Sequence, residues 1–230
     1  MTAPIERRDV DGVVVLRLKR PPVNALDLAA LAALTEAFTQ LAATPPRCGL
    51  VLASDGGHFS AGLDLKVFRA TDEAGRRAMA LAINPMIVAL YGLPFPTAAA
   101  IEGAALAGGL VLALGCDVRV AADARVSLGL AEVTAGVPFP VGALEVCRAE
   151  LSAEAQRQFF LHDKRVDGVE GLRMGVVDAV CSAVDLEREA VARVQTLAQK
   201  PAYRTIKRQL RAPTLASIQT GLQNGDPVWG

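Results

Sequence analysis

Histidine occurs only twice in these 230 residues, and the four cysteines (Cys48, Cys116, Cys147, Cys181) stand far apart with no C-x-x-C pair. Such a set argues against a structural zinc site, and no metal-ligand set is expected. Buried free thiols in a reducing cytoplasm are expected instead. Aromatic residues are scarce at 4%, so the 52% apolar content must build its core from alanine, valine and leucine. Neither charge sign is in excess, with 24 basic and 24 acidic residues. That balance excludes a general affinity for nucleic acid or for an acidic membrane surface. No apolar run reaches membrane-spanning length, and residues 1–12 (MTAPIERRDVDG) lack the apolar stretch of a secretion signal. The length suits one domain with a substantial core.

What the chain does have is glycine in two informative places. Residues 101–117 (IEGAALAGGLVLALGCD) run from small apolar residues through Gly103, Gly108 and Gly109 into a smooth apolar segment. A buried strand, a glycine turn and a buried helix fit that order. The start of such a helix carries unpaired N–H donors and a positive partial charge, which suit an anion or a developing oxyanion. Gly103 and Gly108 have P-loop spacing, but Gly109 and Leu110 stand where phosphate binding needs Lys and Ser/Thr. The second place follows a short apolar strand at residues 49–53 and reads SDGGHFSAGLDLK over residues 54–66. It offers another strand-to-glycine-turn donor. Ser60 invites a serine-hydrolase reading, although His58 occupies a position that the G-x-S-x-G elbow reserves for glycine.

Three segments, HFSAGLDLK (58–66), IEGAALAGGLVLALGCD (101–117) and LGLAEVTAGVPFP (128–140), together resemble the crotonase family, the enoyl-CoA hydratases and isomerases. The resemblance implies an α/β fold, a spiral of β-β-α turns over residues 1–184, with a helical carboxyl-terminal region at 185–230 that joins subunits. It implies an acyl-CoA substrate, coenzyme A entering only as part of it, no tightly bound cofactor, and a homotrimer or homohexamer. By motif, the N–H groups of Leu63 and Gly108 would form an oxyanion hole for the thioester carbonyl, and Glu132 would shuttle protons. The loop matching Val23-Asn24-Ala25 would line the coenzyme A channel, making Val23 and Ala25 substrate contacts. Ala61, Asp64, Leu65 and Lys66 would follow the substrate along the first motif, with Lys66 near the adenosine end. The other glutamate of the family's hydratases falls on Val111, and valine moves no proton. Double-bond isomerisation is therefore expected over hydration. The alternatives are a non-catalytic paralogue that only binds coenzyme A esters, and a hydratase working with one glutamate.

The remaining segments are read from pattern. Residues 13–18 form a strand entered through the Asp11-Gly12 turn, and Asp27 caps a helix over residues 28–42. Residues 71–91 form a helical region that Pro85 kinks or breaks, its Met79, Ile83, Met86 and Ile87 being either core or acyl-pocket residues. Glu132 sits among Leu130, Ala131 and Val133, where desolvation would raise its pKa. Ser152 starts a helix over 153–161, residues 185–199 form another, and Pro201 opens a last one. On that last helix Arg204, Lys207, Arg208 and Arg211 share a face, either solvated or drawn to coenzyme A phosphates.

Overall fold

The computed structural model describes residues 4–123, 125–226 and 228–229. Strand β1 (Ile5–Val10) turns at Asp11-Gly12 and pairs antiparallel with β2 (Val13–Leu18). The chain then crosses through α1 (Leu28–Ala43) to β3 (Gly49–Ser54), which lies parallel to β2. Asp27 caps α1, its carboxylate accepting from Ala30 N at 2.8 Å, and Leu31, Leu34, Phe38 and Leu41 bury one stripe of the helix. After β3 come α2 (Leu65–Ala70), α3 (Glu73–Leu81) and α4 (Ile83–Tyr91). The break expected near Pro85 falls at Ala82 instead. That places the proline in the first turn of α4, where its missing N–H costs no helical bond.

Two β-β-α turns follow. The first is β4 (Thr97–Ile101), β5 (Ala104–Leu106) and α5 (Gly108–Leu114). The second is β6 (Val118–Ala122), β7 (Ser127–Gly129) and α6 (Glu132–Ala135). The first strand of each turn joins the main sheet, ordered β1-β2-β3-β4-β6-β8 and parallel after β1, where β8 is Ala179–Cys181. The second strands pair with each other as a separate parallel ribbon, continued by the Ser60–Ala105 bridge. Both turns thus present a helix start on the ribbon side of the main sheet. This is the α/β spiral that the resemblance implies.

Helix α7 (Val141–Glu150) packs against α4 and α5. Helix α8 (Ala153–Gln156), capped by Ser152, does not continue to residue 161 but passes into a π-helical turn at Arg157–Leu161. Then come α9 (Gly168–Arg173), α10 (Leu186–Ala198) and α11 (Tyr203–Gln223). Pro201 lies in the turn before α11 rather than on it.

The basic face of α11 needs correction. Arg204 and Arg208 are exposed, but Lys207 and Arg211 are buried against Asp117, at 2.7 and 2.8 Å. Lys207 also donates to Phe95 O and Arg211 to Tyr91 O, while the Arg211 guanidinium lies over the Tyr91 ring. These two cations fasten α11 to the end of β4, since Asp117 also accepts from Thr97 N at 2.8 Å. They bind protein, not phosphate. Of the four free thiols, Cys116 and Cys147 are buried as expected, whereas Cys48 and Cys181 are only partly so.

Candidate active site

The two glycine turns meet because their glycines allow it. A Cβ on Gly109 would sit 2.2 Å from Ser60 O, and one on Gly62 (φ +81°) would sit 2.7 Å from Gly108 N. Only backbone without side chains can approach that closely. The result sets Leu63 N beside Gly108: a Cβ on Gly108 would lie 3.8 Å from it. The bridge around Leu63 uses Leu26 N to Gly62 O (2.7 Å) and Asp64 N to Leu26 O (2.9 Å), which leaves the Leu63 N–H out of the ladder. Gly108 is the first residue of α5, where an N–H has no intrahelical acceptor. Just before it, Ala107 holds φ +49° and ψ −128°, a conformation costly for any residue with a Cβ. The strain sits where the chain must turn sharply to aim the helix start.

Both donors border a cavity of about 220 Å³. Its walls are apolar, with Leu65, Ile83, Val111, Val137 and Phe139 among them. Among the described residues Glu132, the first residue of α6, is the only carboxylate on the lining. Its Oε2 is buried with no hydrogen-bond partner. Burial pushes its pKa up to about 7; its own and Ala131's backbone N–H groups pull the other way, and the charge of Asp163 adds to the rise. A carboxyl titrating there holds or releases a proton with little cost near neutrality. Val111, buried on the first turn of α5, faces the same space without any polar atom. The site therefore combines two free N–H donors, one tunable carboxyl and an apolar container.

A model of the enoyl-CoA hydratase/isomerase family matches residues 8–225. The chain belongs to that family. Among its relatives, a peroxisomal fatty acid beta-oxidation multifunctional protein from Arabidopsis thaliana is 29% identical over 218 residues. The match covers 93% of the chain and 30% of that relative, so the chain spans under a third of such multifunctional proteins. The human mitochondrial enoyl-CoA delta isomerase 1 is 30% identical, over 91% of the chain and 70% of the relative. The crystal structure of an enoyl-CoA hydratase from Mycobacterium ulcerans superposes with a TM-score of 0.87 at 27% identity, covering 96% of each chain. Relatives named as an isomerase and as a hydratase are thus similar to the chain at comparable identity.

Ala61, Leu63, Leu65, Gly108, Val111 and Glu132 all line the cavity. Val23, Ala25, Asp64 and Lys66 do not. Val23 is exposed and offers its carbonyl to Ala61 N, while Ala25 O accepts from the Arg20 guanidinium. Asp64 caps α2 and lies 3.6 Å from Arg20, and Lys66 points to solvent. Of Met79, Ile83, Met86 and Ile87, only Ile83 reaches the cavity; Met79, Met86 and Ile87 are buried elsewhere. Arg165 on the wall was not anticipated, because it arrives on a loop with no motif of its own. The hydrolase reading of Ser60 fails: its hydroxyl donates to Asn24 O at 2.8 Å and accepts from Gly62 N at 3.1 Å. Ser60 is buried in the turn, and His58 Nδ1 is occupied by Ala104 N. Its role is to hold the turn that presents Leu63.

Proposed function

We propose that this protein moves a carbon–carbon double bond in an acyl-CoA ester, from C3=C4 to C2=C3. The carboxylate of Glu132 takes the C2 proton. The electrons of that C–H bond form C1=C2 as the carbonyl pair moves onto oxygen; on collapse the carbonyl re-forms, the C1=C2 pair becomes C2=C3 and the C3=C4 pair takes a proton at C4. Charge developing on the thioester oxygen is held by the N–H groups of Leu63 and Gly108. Glu132 then returns its proton to C4, so no water is added and none is lost. The observation that carries this reading is the pairing of a single cavity carboxylate, Glu132, with an apolar Val111. Hydration gains from two carboxylates that fix and deprotonate one water, and this wall supplies one.

The same proposal covers the rest of the assembly. Coenzyme A arrives as part of the substrate, with exposed Lys66, Arg204 and Arg208 as candidate phosphate contacts, and no further cofactor is required. Trimers joined through residues 185–230 are supported by Ile206 and Leu210, which are exposed one turn apart on α11. Unpaired thiols suit a cytoplasmic setting.

Hydration of crotonyl-CoA tests the role of Val111. The unmodified protein is expected to hydrate it far below a typical enzymatic rate of around 10 per second, and Val111→Glu is expected to gain hydration. Burying the new carboxylate is expected to cost a few kcal/mol of stability. Fast hydration by the unmodified protein would show that one glutamate suffices and that Val111 is not the determinant.

A further inference from the structure

The tail that follows α11 reaches back to the cavity. Asp226 is buried, and its Oδ2 accepts from Val141 N, at the start of α7, at 2.8 Å. Its Oδ1 accepts from Val228 N and Trp229 N, both at 3.1 Å, which folds the tail onto the body of the protein. Trp229 then donates its indole N–H to Pro138 O at 3.0 Å. Its ring stands edge-on to Phe68 of α2 with the centroids 6.3 Å apart, and its carbonyl accepts from the Arg77 guanidinium of α3. A few residues thus tie α2, α3, α7 and the stretch 137–140 together.

Those partners include walls of the cavity. A small apolar cluster, separate from the main core, gathers Phe68, Met79 and Val137, with Leu63, Leu65, Ala135 and Trp229 packed against them. Leu63, Leu65, Ala135 and Val137 also line the cavity, as does the rest of the stretch 137–140. That stretch has no regular secondary structure, so contacts from outside must fix it. Val137 N donates to Glu132 O at 3.1 Å, and the Phe139 ring rests on Phe160 of the π-helical turn, centroids 4.8 Å apart. Between these two anchors, Trp229 supplies the hold on Pro138.

We propose that Trp229 is a positioning residue for the acyl wall. Through Pro138 and Phe68 it keeps residues 137–139 against the acyl chain, and so sets how strongly longer chains are preferred over short ones. A wall already in place need not be ordered when the chain arrives, and contact energy falls steeply once a gap opens. Among the described residues, the hydrogen bonds of the tail reach neither Glu132 nor the N–H groups of Leu63 and Gly108. Its task is therefore binding of the chain, not proton transfer. The proposal rests on acyl-CoA esters being the ligands; it does not need the isomerisation.

Calorimetry with hexanoyl-CoA and acetyl-CoA, neither of which has a double bond to move, tests it. Trp229→Ala is expected to weaken hexanoyl-CoA roughly tenfold. Acetyl-CoA, with one carbon beyond its carbonyl, should bind as before. Trp229→Phe keeps a ring against Phe68 but has no N–H for Pro138, and should fall between. Asp226→Ala releases the tail with the indole intact. Trp229 is the only tryptophan in the sequence, so in that variant its emission should shift to longer wavelength while hexanoyl-CoA weakens as in Trp229→Ala. Equal weakening of both esters in Trp229→Ala would mean that the tail only stabilises the fold. Unchanged hexanoyl-CoA affinity in Trp229→Ala and Asp226→Ala would mean that the wall stands without it. Either result overturns the proposal. Binding of neither ester to the unmodified protein would overturn the acyl-CoA reading, and this proposal with it.

Discussion

Replacing Glu132 with glutamine is expected to remove turnover of a 3-enoyl-CoA ester, by on the order of 100- to 10,000-fold, while the ester still binds. The amide keeps the volume and polarity of the side chain but carries no basic oxygen. Exchange of the substrate α-proton with solvent deuterium, followed by NMR, should disappear with it. The same substitution has an opposite expected effect on stability. Burial pushes the Glu132 carboxyl up to about 7 in the folded protein, from 4.5 for a free side chain. With the folded value raised, its favourable contribution is complete below pH 4.5 and is lost as pH rises through about 7. At pH 8 the native protein therefore carries a burden of roughly 3 kcal/mol that glutamine lacks. Urea unfolding should show Glu132→Gln more stable at pH 8, with the difference closing toward pH 4. Equal midpoints at pH 8 would mean that the carboxyl is better solvated than its surroundings indicate, and exchange at the normal rate would place the base elsewhere.

Gly108→Pro is expected to slow turnover by on the order of 100- to 1,000-fold, the usual loss for one oxyanion donor. The substitution deletes an N–H and adds no functional group. Position 108 is the first residue of α5, where proline is tolerated in helices, and a Cβ there has its nearest neighbour 3.6 Å away. Circular dichroism and the unfolding midpoint check that the fold survives. A folded variant with normal rates would show that the carbonyl is held by other groups.

Much of this site was legible because its constraints are local. Gly62, Gly108 and Gly109 stand where backbone meets backbone, and the positions of Leu63, Val111 and Glu132 follow from short motifs around them. The strands β2 and β3 and the helix α1 were readable from continuous apolar runs and a 3.6-residue period. What escaped depends on distant partners. Four of the six residues of β1 are exposed, so it carries no apolar signal and forms by pairing with β2. Lys207 and Arg211 look like a solvated face until Asp117, ninety residues earlier, arrives beneath them. Arg165 reaches the cavity wall on a loop after a π-helical turn, and it leaves no periodic trace. Lys66, Asp64, Val23 and Ala25 lie outside the cavity, at exposed, capping or half-buried positions.

The most direct measurement is product analysis of a 3-enoyl-CoA ester incubated with the unmodified protein, by NMR in deuterated buffer. The expected product is the 2-enoyl-CoA ester, formed without a 3-hydroxyacyl product and dependent on Glu132. Accumulation of 3-hydroxyacyl-CoA, or tight binding of the ester with no conversion at all, would contradict the assignment of Glu132 as a single proton shuttle between two carbons.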